Sequence, residues 1–337
     1  MPSYKAYLID AFTNVKFAGN QAAVCLIPHK LSDREYQQIA AEFNFSETAY
    51  PLPLDTENYE TGCLRWFTPT VEIALCGHAT LATSHVIFNE IGNKSPEITF
   101  ETLSGDLIVK KHNDQLVMNF PQYKKWISYE SDKILNGSLN LYEKRPKESF
   151  IDKIVELMTP PGKCRYIALA VEGRKLLLVL DEKITKSEFL SLTHHSNELL
   201  LAHDGSVVRG VVVTLSPKDP KSQGFIDANG KSFDYVSRYF APWAGINEDS
   251  ATGSAQCALG PFWSKVKQSK GPFYAFQCYP GRGAQLTIEF PNEERVDIYA
   301  FQCYPGRGAQ FTIEFPNEER VDIYGNALTV LRGHIEL

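Results

Sequence analysis

The sequence is short of several things, and each shortage removes a class of function. Its seven cysteines (Cys25, Cys63, Cys76, Cys164, Cys257, Cys278 and Cys303) are odd in number and scattered, with no CxxC pair. Neither a disulfide framework nor a zinc ribbon follows from such spacing, and no metal site is expected. No uninterrupted apolar run approaches the ~20 residues of a membrane-crossing helix. The opening MPSYKAYLIDAF breaks its apolar character at Asp10, as a first strand does and a signal peptide does not. Basic residues are not in excess: 34 Lys and Arg face 40 Asp and Glu, a formal net charge of -6, so nothing favours nucleic acid. No GxGxxG follows the first strand, which leaves dinucleotide binding without its fingerprint. A cytoplasmic globular protein with neither a membrane nor a nucleic-acid partner is the expectation.

What is present is an ordinary globular composition, 43% hydrophobic and 22% charged over 337 residues, enough for two domains. YKAYLID and AAVCLIP read as strands, and SDREYQQIAAEF as a helix with Ser32 as N-cap and Glu35 at the capping-box position. SETAYPL and GCLRWF are further strands, ATLATSHVIF is a helix, and EITFET, GDLIVKK and QLVMNF form a meander. The polar stretch 121–148 reads as a connection. Beyond it the pattern predicts the helix SFIDKIVELM, strands in CRYIALAV and KLLLVLD, and one helix through SEFLSLTHHSNELL. VVRGVVVTLS and FDYVSRYF follow as strands, then GSAQCALGPFWSKV as a helix. Short strands mixed with isolated helices speak against a regular βαβ barrel.

Two repeats stand out. RWFTP (65–69) leads to CGHATLA, and RYFAP (238–242) leads to ATGSAQCA, which suggests duplicated domains. The other is AFQCYPGRGAQLTIEFPNEERVDIY at 275–299, whose 25 residues return at 300–324 with only Leu286 replaced, by Phe311. Two identical copies without diverged neighbours do not make a solenoid. They point to a recent tandem duplication or an error in the coding sequence, with one copy looped out, paired at an edge or disordered.

The two small-residue helix starts suggest chemistry. A helix N-terminus offers unpaired N–H groups and a positive end to an anion. Glycine at Gly77 and Gly253 would let a carboxylate approach closely. Apolar or small residues lie on nearly every face of both helices, which predicts that each is enclosed by sheet. His78 falls in the first turn, where the positive helix end favours the neutral ring. Asp249 precedes the second helix start, and Ser254 offers a hydroxyl beside Gly253. Glu47 heads a strand in NFSETAY. The plainer roles are a solvated turn for Glu47, a structural imidazole for His78 and a helix cap for Asp249. If the groups converge, they suit proton transfer at carbon, with a carboxylate as the base and amides holding the enolate-like charge.

The segments DAFTNVKFAGNQAAV, FNFSETAY, LRWFTPTVEIALCGHATLA, SRYFAPWAGINEDSATGSA and CYPGRG together resemble the phenazine-biosynthesis isomerase-like family, within the diaminopimelate-epimerase superfamily. The resemblance implies an α+β fold of two similar domains, each a curled, mostly antiparallel sheet around a central helix. It also implies a homodimer acting on a small carboxylated metabolite without a cofactor. The domains are expected over 1–122 and 123–325, with 326–337 as a C-terminal strand returning to the first. By motif, Glu47 is implied as general acid/base, with His78 and Asp249 as catalytic partners and Gly77, Gly253 and Ser254 as substrate-binding positions. Two local departures concern the loop before the second helix. Ser250 stands where the family usually has proline. It also stands where a two-thiol epimerase would place the partner of Cys76, so that thiol pair is incomplete. The remaining alternatives are a non-enzymatic metabolite-binding or protein-interaction protein on the same fold, and an epimerase or racemase using Cys76.

Overall fold

The capping box predicted at Ser32 forms as read: the Ser32 side chain accepts from the Glu35 amide while Glu35 reaches back to the Ser32 amide, opening the helix Asp33–Phe43. Its apolar side, Tyr36, Ile39 and Ala40, packs on Cys25, Ile27, Tyr50 and Phe67. The computed structural model describes all residues except 1, 15, 18, 55–58, 60, 122, 124, 130–142, 228, 250–251, 270–272, 280–281, 293–294, 303–310 and 315–319. The chain forms two units, Met1–Pro121 with Ala300–Leu337, and Gln122–Tyr299. Both are α+β, each with a curled, largely antiparallel sheet and an inserted helix.

The sheet of the first unit has eleven strands. In order across it lie Phe311–Glu314, Arg320–Gly325, Gln115–Pro121, Gly105–His112, Glu97–Thr102, Thr61–Phe67, Glu47–Pro53, Asn20–Leu26, Ser3–Ala11 and Ala327–Glu336, with Glu72–Ile73 beside Thr61–Phe67. The helix Gly77–His85 packs against Ser3–Ala11, Asn20–Leu26 and Glu47–Pro53, and also against Gln115–Pro121 and Ala327–Glu336 towards the two ends of that order. One helix reaches both ends because the sheet curls around it. His78 to Ser84 are all buried, so this helix has no solvent face. Its hydroxyls are satisfied locally: Thr80, Thr83 and Ser84 donate to the carbonyls of Cys76, Ala79 and Thr80 at 2.5, 2.7 and 2.9 Å. The helix continues as a π turn over Val86–Ile91 and stops at Gly92, which takes φ 83°.

The second unit repeats the plan with ten strands. Their order is Glu143–Lys144, Trp126–Ser128, Cys164–Ala170, Lys175–Leu180, Gly210–Leu215, Tyr235–Ala241, Phe273–Tyr279, Arg282–Asn292 and Arg295–Gln302, with Ile246–Asp249 beside Tyr235–Ala241. Its inserted helix, Gly253–Lys267, is buried from Ala255 to Gly260 and at Phe262 and Trp263. Hydrogen bonds tie it to the sheet, from Trp263 Nε1 to Thr214 Oγ1 at 3.1 Å and from Tyr235 Oη to Gln256 Oε1 at 3.1 Å. The single helix expected through SEFLSLTHHSNELL is instead two, Lys186–Leu190 and Ser196–Ala202. The first stops at Leu190, and after the non-helical stretch 191–194 the left-handed His195, with φ 41°, is the N-cap of the second.

The RWFTP/RYFAP repeat is a duplicated ion-pair device. Arg65 grips Glu72 with Nε–Oε1 2.6 Å and Nη2–Oε2 2.7 Å, and Arg238 grips Glu248 at the same two distances. Each guanidinium also lies 5.0 Å from the ring of the phenylalanine two residues on, Phe67 or Phe240. Each glutamate sits on the short strand that leads to an inserted helix. Arginine to glutamate is 7 positions in one unit and 10 in the other. From glutamate to the helix-opening glycine is the same in both, 77 − 72 = 5 and 253 − 248 = 5. The insertion in the second unit therefore precedes the glutamate and leaves the approach to the helix unchanged. Arg238 is almost wholly buried and also donates to the carbonyls of Phe189 and Leu192 at 2.9 and 2.8 Å. Breaking such a pair from one side costs about 3–5 kcal/mol.

The 25-residue repeat is divided between the units. From the first copy, strand Phe273–Tyr279 pairs with Tyr235–Ala241, and Arg282–Asn292 and Arg295–Gln302 extend that edge. From the second copy, Arg320–Gly325 pairs with Gln115–Pro121 and burial of Val321 and Ile323 anchors it. In place of a second unit running to 325, residues 300–325 group with the first unit, and the strand after them, Ala327–Glu336, pairs with Ser3–Ala11. One residue distinguishes the two RVDIY segments for the seat beside Gln115–Pro121. The second copy is followed by Gly325, where a Cβ would lie 2.6 Å from Phe12 Cδ1 and 2.8 Å from Leu81 Cδ2; the first copy is followed by Ala300. Deleting 275–299 or 300–324 gives chains that differ only by Leu286 or Phe311, and both retain FQCY for one sheet and RVDIYG for the other. Either deletion is expected to keep the parent's far-ultraviolet circular dichroism and to melt no lower. Gly325→Ala is expected to cost about 1–3 kcal/mol by overpacking. Unfolded chains from both deletions would show the extra residues to be structural.

Candidate active site

The site in the first unit is built where a strand start meets a helix start. Glu47 opens Glu47–Pro53 in register with Ala22, which points its side chain inward, and it is only 3% exposed rather than a solvated turn residue. His78 is the second residue of the inserted helix and is also buried. Its Nε2 lies 3.0 Å from Glu47 Oε2 and 3.2 Å from Ser46 Oγ. On the other side of the ring, Nδ1 lies 3.5 Å from Cys76 Sγ. The approach to Glu47 Oε2 is close, and that fully buried oxygen pairs electrostatically with the ring.

The electrostatics follow from this packing. Burial is the largest single influence on His78 and would lower it, but Cys76 and Glu47 together outweigh burial and raise the ring well above 6.5. The Cys76 thiol is itself pushed up, first by burial and then by Glu47, against the opposing pull of His78. The helix end alone predicts a neutral ring; Cys76 and the buried Glu47 carboxylate together reverse that expectation.

The helix start beside this pair is open. Cys76 is the N-cap and makes no side-chain cap bond, and no acidic residue occupies the first turn. A Cβ at Gly77 would meet nothing within 4 Å. Neither internal sterics nor a positive φ demands glycine there, so the space over the amides is room for something other than the chain itself. Glu47, Cys76 and His78 also present ligand atoms within 4.8 Å of one another. However, Cys76 meets Nδ1 while Glu47 meets Nε2, so the two approach opposite nitrogens of one ring. That suits a shared proton better than a single ion held at ~2.0–2.3 Å from all three ligands.

In the second unit, Asp249 ends the short strand Ile246–Asp249 in register with Tyr239. It does not work as the helix cap that its position suggested: Thr252 is the N-cap, and its hydroxyl donates to Asp249 Oδ2 at 2.5 Å. Gln277 completes the arrangement, accepting from the Thr252 amide at 2.9 Å and donating to the Asp249 carbonyl at 2.9 Å. Gly253 and Ser254 are the first two helical residues, both half-buried. Ser250 lies outside the described residues. Three polar groups were missed from sequence: Ser46, although it adjoins Glu47 in the quoted SET motif, Thr252 of ATGS, and Gln277. The last lies inside the repeated block, where duplication drew notice and chemistry did not.

The fold and the doubled helix starts define an α+β protein of the diaminopimelate-epimerase-like type. The family described as phenazine biosynthesis-like protein (PhzC/PhzF) matches residues 9–159 and 223–333, and the chain belongs to that family. It is 38% identical over 297 residues to a phenazine biosynthesis-like domain-containing protein of Bos taurus, covering 87% of this chain and 93% of that one. It is 34% identical over 293 residues to an uncharacterized isomerase of Halalkalibacterium halodurans, covering 85% and 91%. A crystal structure of a PhzF-family protein from Enterococcus faecalis matches over 100% of both chains with a TM-score of 0.64 at 29% identity. Family and fold match those of isomerase-like enzymes. Among the described residues, no helix is long and apolar enough to cross a membrane.

Because His78 is raised in the fold, its pairing with Glu47 stabilises the protein fully below the ring's ordinary value near 6.5, and that contribution is lost as pH rises through the folded value. Nitrogen-15 NMR should therefore show the His78 ring titrating above 6.5 in the wild type and at a lower pH in Glu47→Gln. An unchanged midpoint in the variant would remove the carboxylate as the cause.

Proposed function

We propose that the chain is a cofactor-independent isomerase that moves a proton between carbons of a small carboxylated metabolite, with Glu47 as general acid/base and His78 as its partner. The observation that carries this is the buried Glu47 carboxylate 3.0 Å from His78, beside a helix start without a side-chain cap whose glycine faces open space. A carboxylate shielded from bulk water keeps lone pairs that can take a carbon-bound proton. The free amides at Gly77 would hold the substrate carboxylate and stabilise the charge it gains as the carbon is deprotonated. His78 would face the carboxylate throughout the transfer as its partner.

In the second unit, Asp249, Gly253 and Ser254 stand at a helix start likewise opened by glycine five positions beyond a glutamate, a place that suits a carboxylate ligand in its own right. Cys76 fits poorly as the carbon base. Burial and Glu47 both keep it protonated, and the thiolate is the reactive form.

A panel of small carboxylates incubated in deuterium oxide, with proton NMR following label entering at carbon, tests the assignment. At least one member should exchange, and Glu47→Gln should slow it ~10²–10⁴-fold, the usual worth of a general base. Exchange that proceeds undiminished in Glu47→Gln would end the role given to that residue. Gly77→Ala should change the unfolding free energy by no more than the ~1 kcal/mol expected of a glycine-to-alanine change in a helix, while raising KM. An unaltered KM would show that nothing docks over those amides.

A further inference from the structure

Positions in the two sheets can be matched by counting from their ion pairs. Phe67 and Phe240, each two residues after its arginine, pair with Thr48 and Val211. Glu47 therefore corresponds to Gly210, and their neighbours on the next strand, Ala22 and Lys175, correspond as well. By the same count Trp66 corresponds to Tyr239. Where the first unit carries a buried carboxylate, the second has no side chain, and a lysine stands one strand away. Lys175 is only 7% exposed and makes no ion pair with a carboxylate among the described residues. Asp249, in register with Tyr239, is tied to Thr252 instead.

Two glycines make room for what surrounds the ammonium. A Cβ at Gly210 would lie 2.7 Å from Tyr239 Cε2, and one at Gly173 would lie 2.6 Å from Tyr123 Cζ, so each ring lies over bare backbone. Lys175 Nζ donates to Tyr239 Oη at 3.3 Å and lies 5.1 and 5.8 Å from the centres of the Tyr239 and Tyr123 rings. Burial, the largest single influence, would lower Lys175, but Tyr123, Tyr239 and Cys257 outweigh it and the amine stays protonated. Of its three N–H donors Tyr239 takes one, and that hydroxyl keeps its own O–H to give. Arg174 and Arg209, exposed at the same strand ends, are joined by the Arg209 amide donating to the Arg174 carbonyl at 2.8 Å, and among the described residues neither makes an ion pair. A buried charge without a counter-ion is costly, and donors that converge without an acid among them suit an anion. We propose that Lys175 and Tyr239, walled by Tyr123, bind a carboxylate group within the second unit. Two carboxylate oxygens can take several donors at once. The phenol rings give the attached carbon an apolar wall, for which a halide has no use. The proposal rests on the second unit alone and not on the proton transfer assigned to Glu47.

Proton–carbon correlation spectra of protein labelled with carbon-13 at lysine Cε test this, with sodium acetate as the probe. The Lys175 signal is the one lost in Lys175→Met or, should that variant fail to fold, in Lys175→Arg. Acetate should shift it saturably, whereas sodium chloride over the same range should not. Tyr239→Phe should weaken acetate binding about tenfold, the worth of one hydrogen bond to a charged group, and Gly77→Ala should leave the titration unchanged. A Lys175 signal indifferent to acetate overturns the proposal, as does an equal response to chloride or an undiminished affinity in Tyr239→Phe. Loss of the response in Gly77→Ala would place the ligand in the first unit and overturns it too. These outcomes are distinct from isotope exchange at Glu47: acetate held by Lys175 in a protein that exchanges no carbon-bound proton would refute the isomerase and leave this site standing.

Discussion

The enclosure of a short helix on every side is the constraint from which the rest follows. A sheet that curls around Gly77–His85 leaves the helix no wet face, so its middle must be small, apolar or locally satisfied, and three hydroxyls bonded back along the helix meet that condition. What cannot be satisfied inside the sheet is the N-terminus, whose first amides have no intrahelical partners. The chain puts no side-chain cap there and no bulk over it. Enclosure and chemistry are therefore one design: the scaffold that hides the helix also presents its positive end.

Duplication shows which parts of that design are held and which are free. In both units an arginine binds a glutamate through two hydrogen bonds, at the same two distances, and stacks on a phenylalanine two residues along. The helix opens five positions after the glutamate in each case. A three-residue difference is absorbed before the ion pair, where the loop has freedom, and not after it. The environments nonetheless differ. Arg238 is sealed by backbone carbonyls, while Arg65 is partly exposed and adds Asp33. The polar groups at the helix starts have diverged further. One unit holds a buried acid and imidazole; the other holds a carboxylate tied to a hydroxyl and a glutamine network. The first set places an acid 3.0 Å from an imidazole, whereas the second is committed to its own hydrogen bonds.

The tandem block gives a physical account of how a sheet protein accepts a redundant segment. Neither copy is wholly extra. The first supplies FQCY, including the Gln277 that orders Thr252, and the second supplies RVDIYG, whose glycine lets the strand pass Phe12 and Leu81. The surplus lies between them as further strands at the edges of two sheets, where hydrogen-bonding groups are available to receive it. The outcome turns on one residue after the repeat, which no comparison of the two copies alone would single out.

The sequence by itself determined the strands and helices wherever periodicity and capping are local, as at Ser32–Glu35, along the meander from Glu97 to Pro121, and at both glycine-opened helices. It also determined the pairing of RWFTP with RYFAP, because a guanidinium, an aromatic ring and a proline at fixed spacing leave a readable trace. It misjudged the helix interrupted over 191–195, since a non-helical break of a few residues leaves no mark on apolar spacing. Only the tertiary structure decided that Glu47 is dry and Asp249 is not a helix cap, that His78 is raised and not lowered, and that Ser46 and Cys76 stand on opposite sides of one ring. The reason is that burial and charge at a side chain are set by neighbours brought from distant positions by the sheet, as Ser46 and His78 are across 32 positions of chain. Local pattern carries shape; proximity, and with it the proton, comes only from the fold.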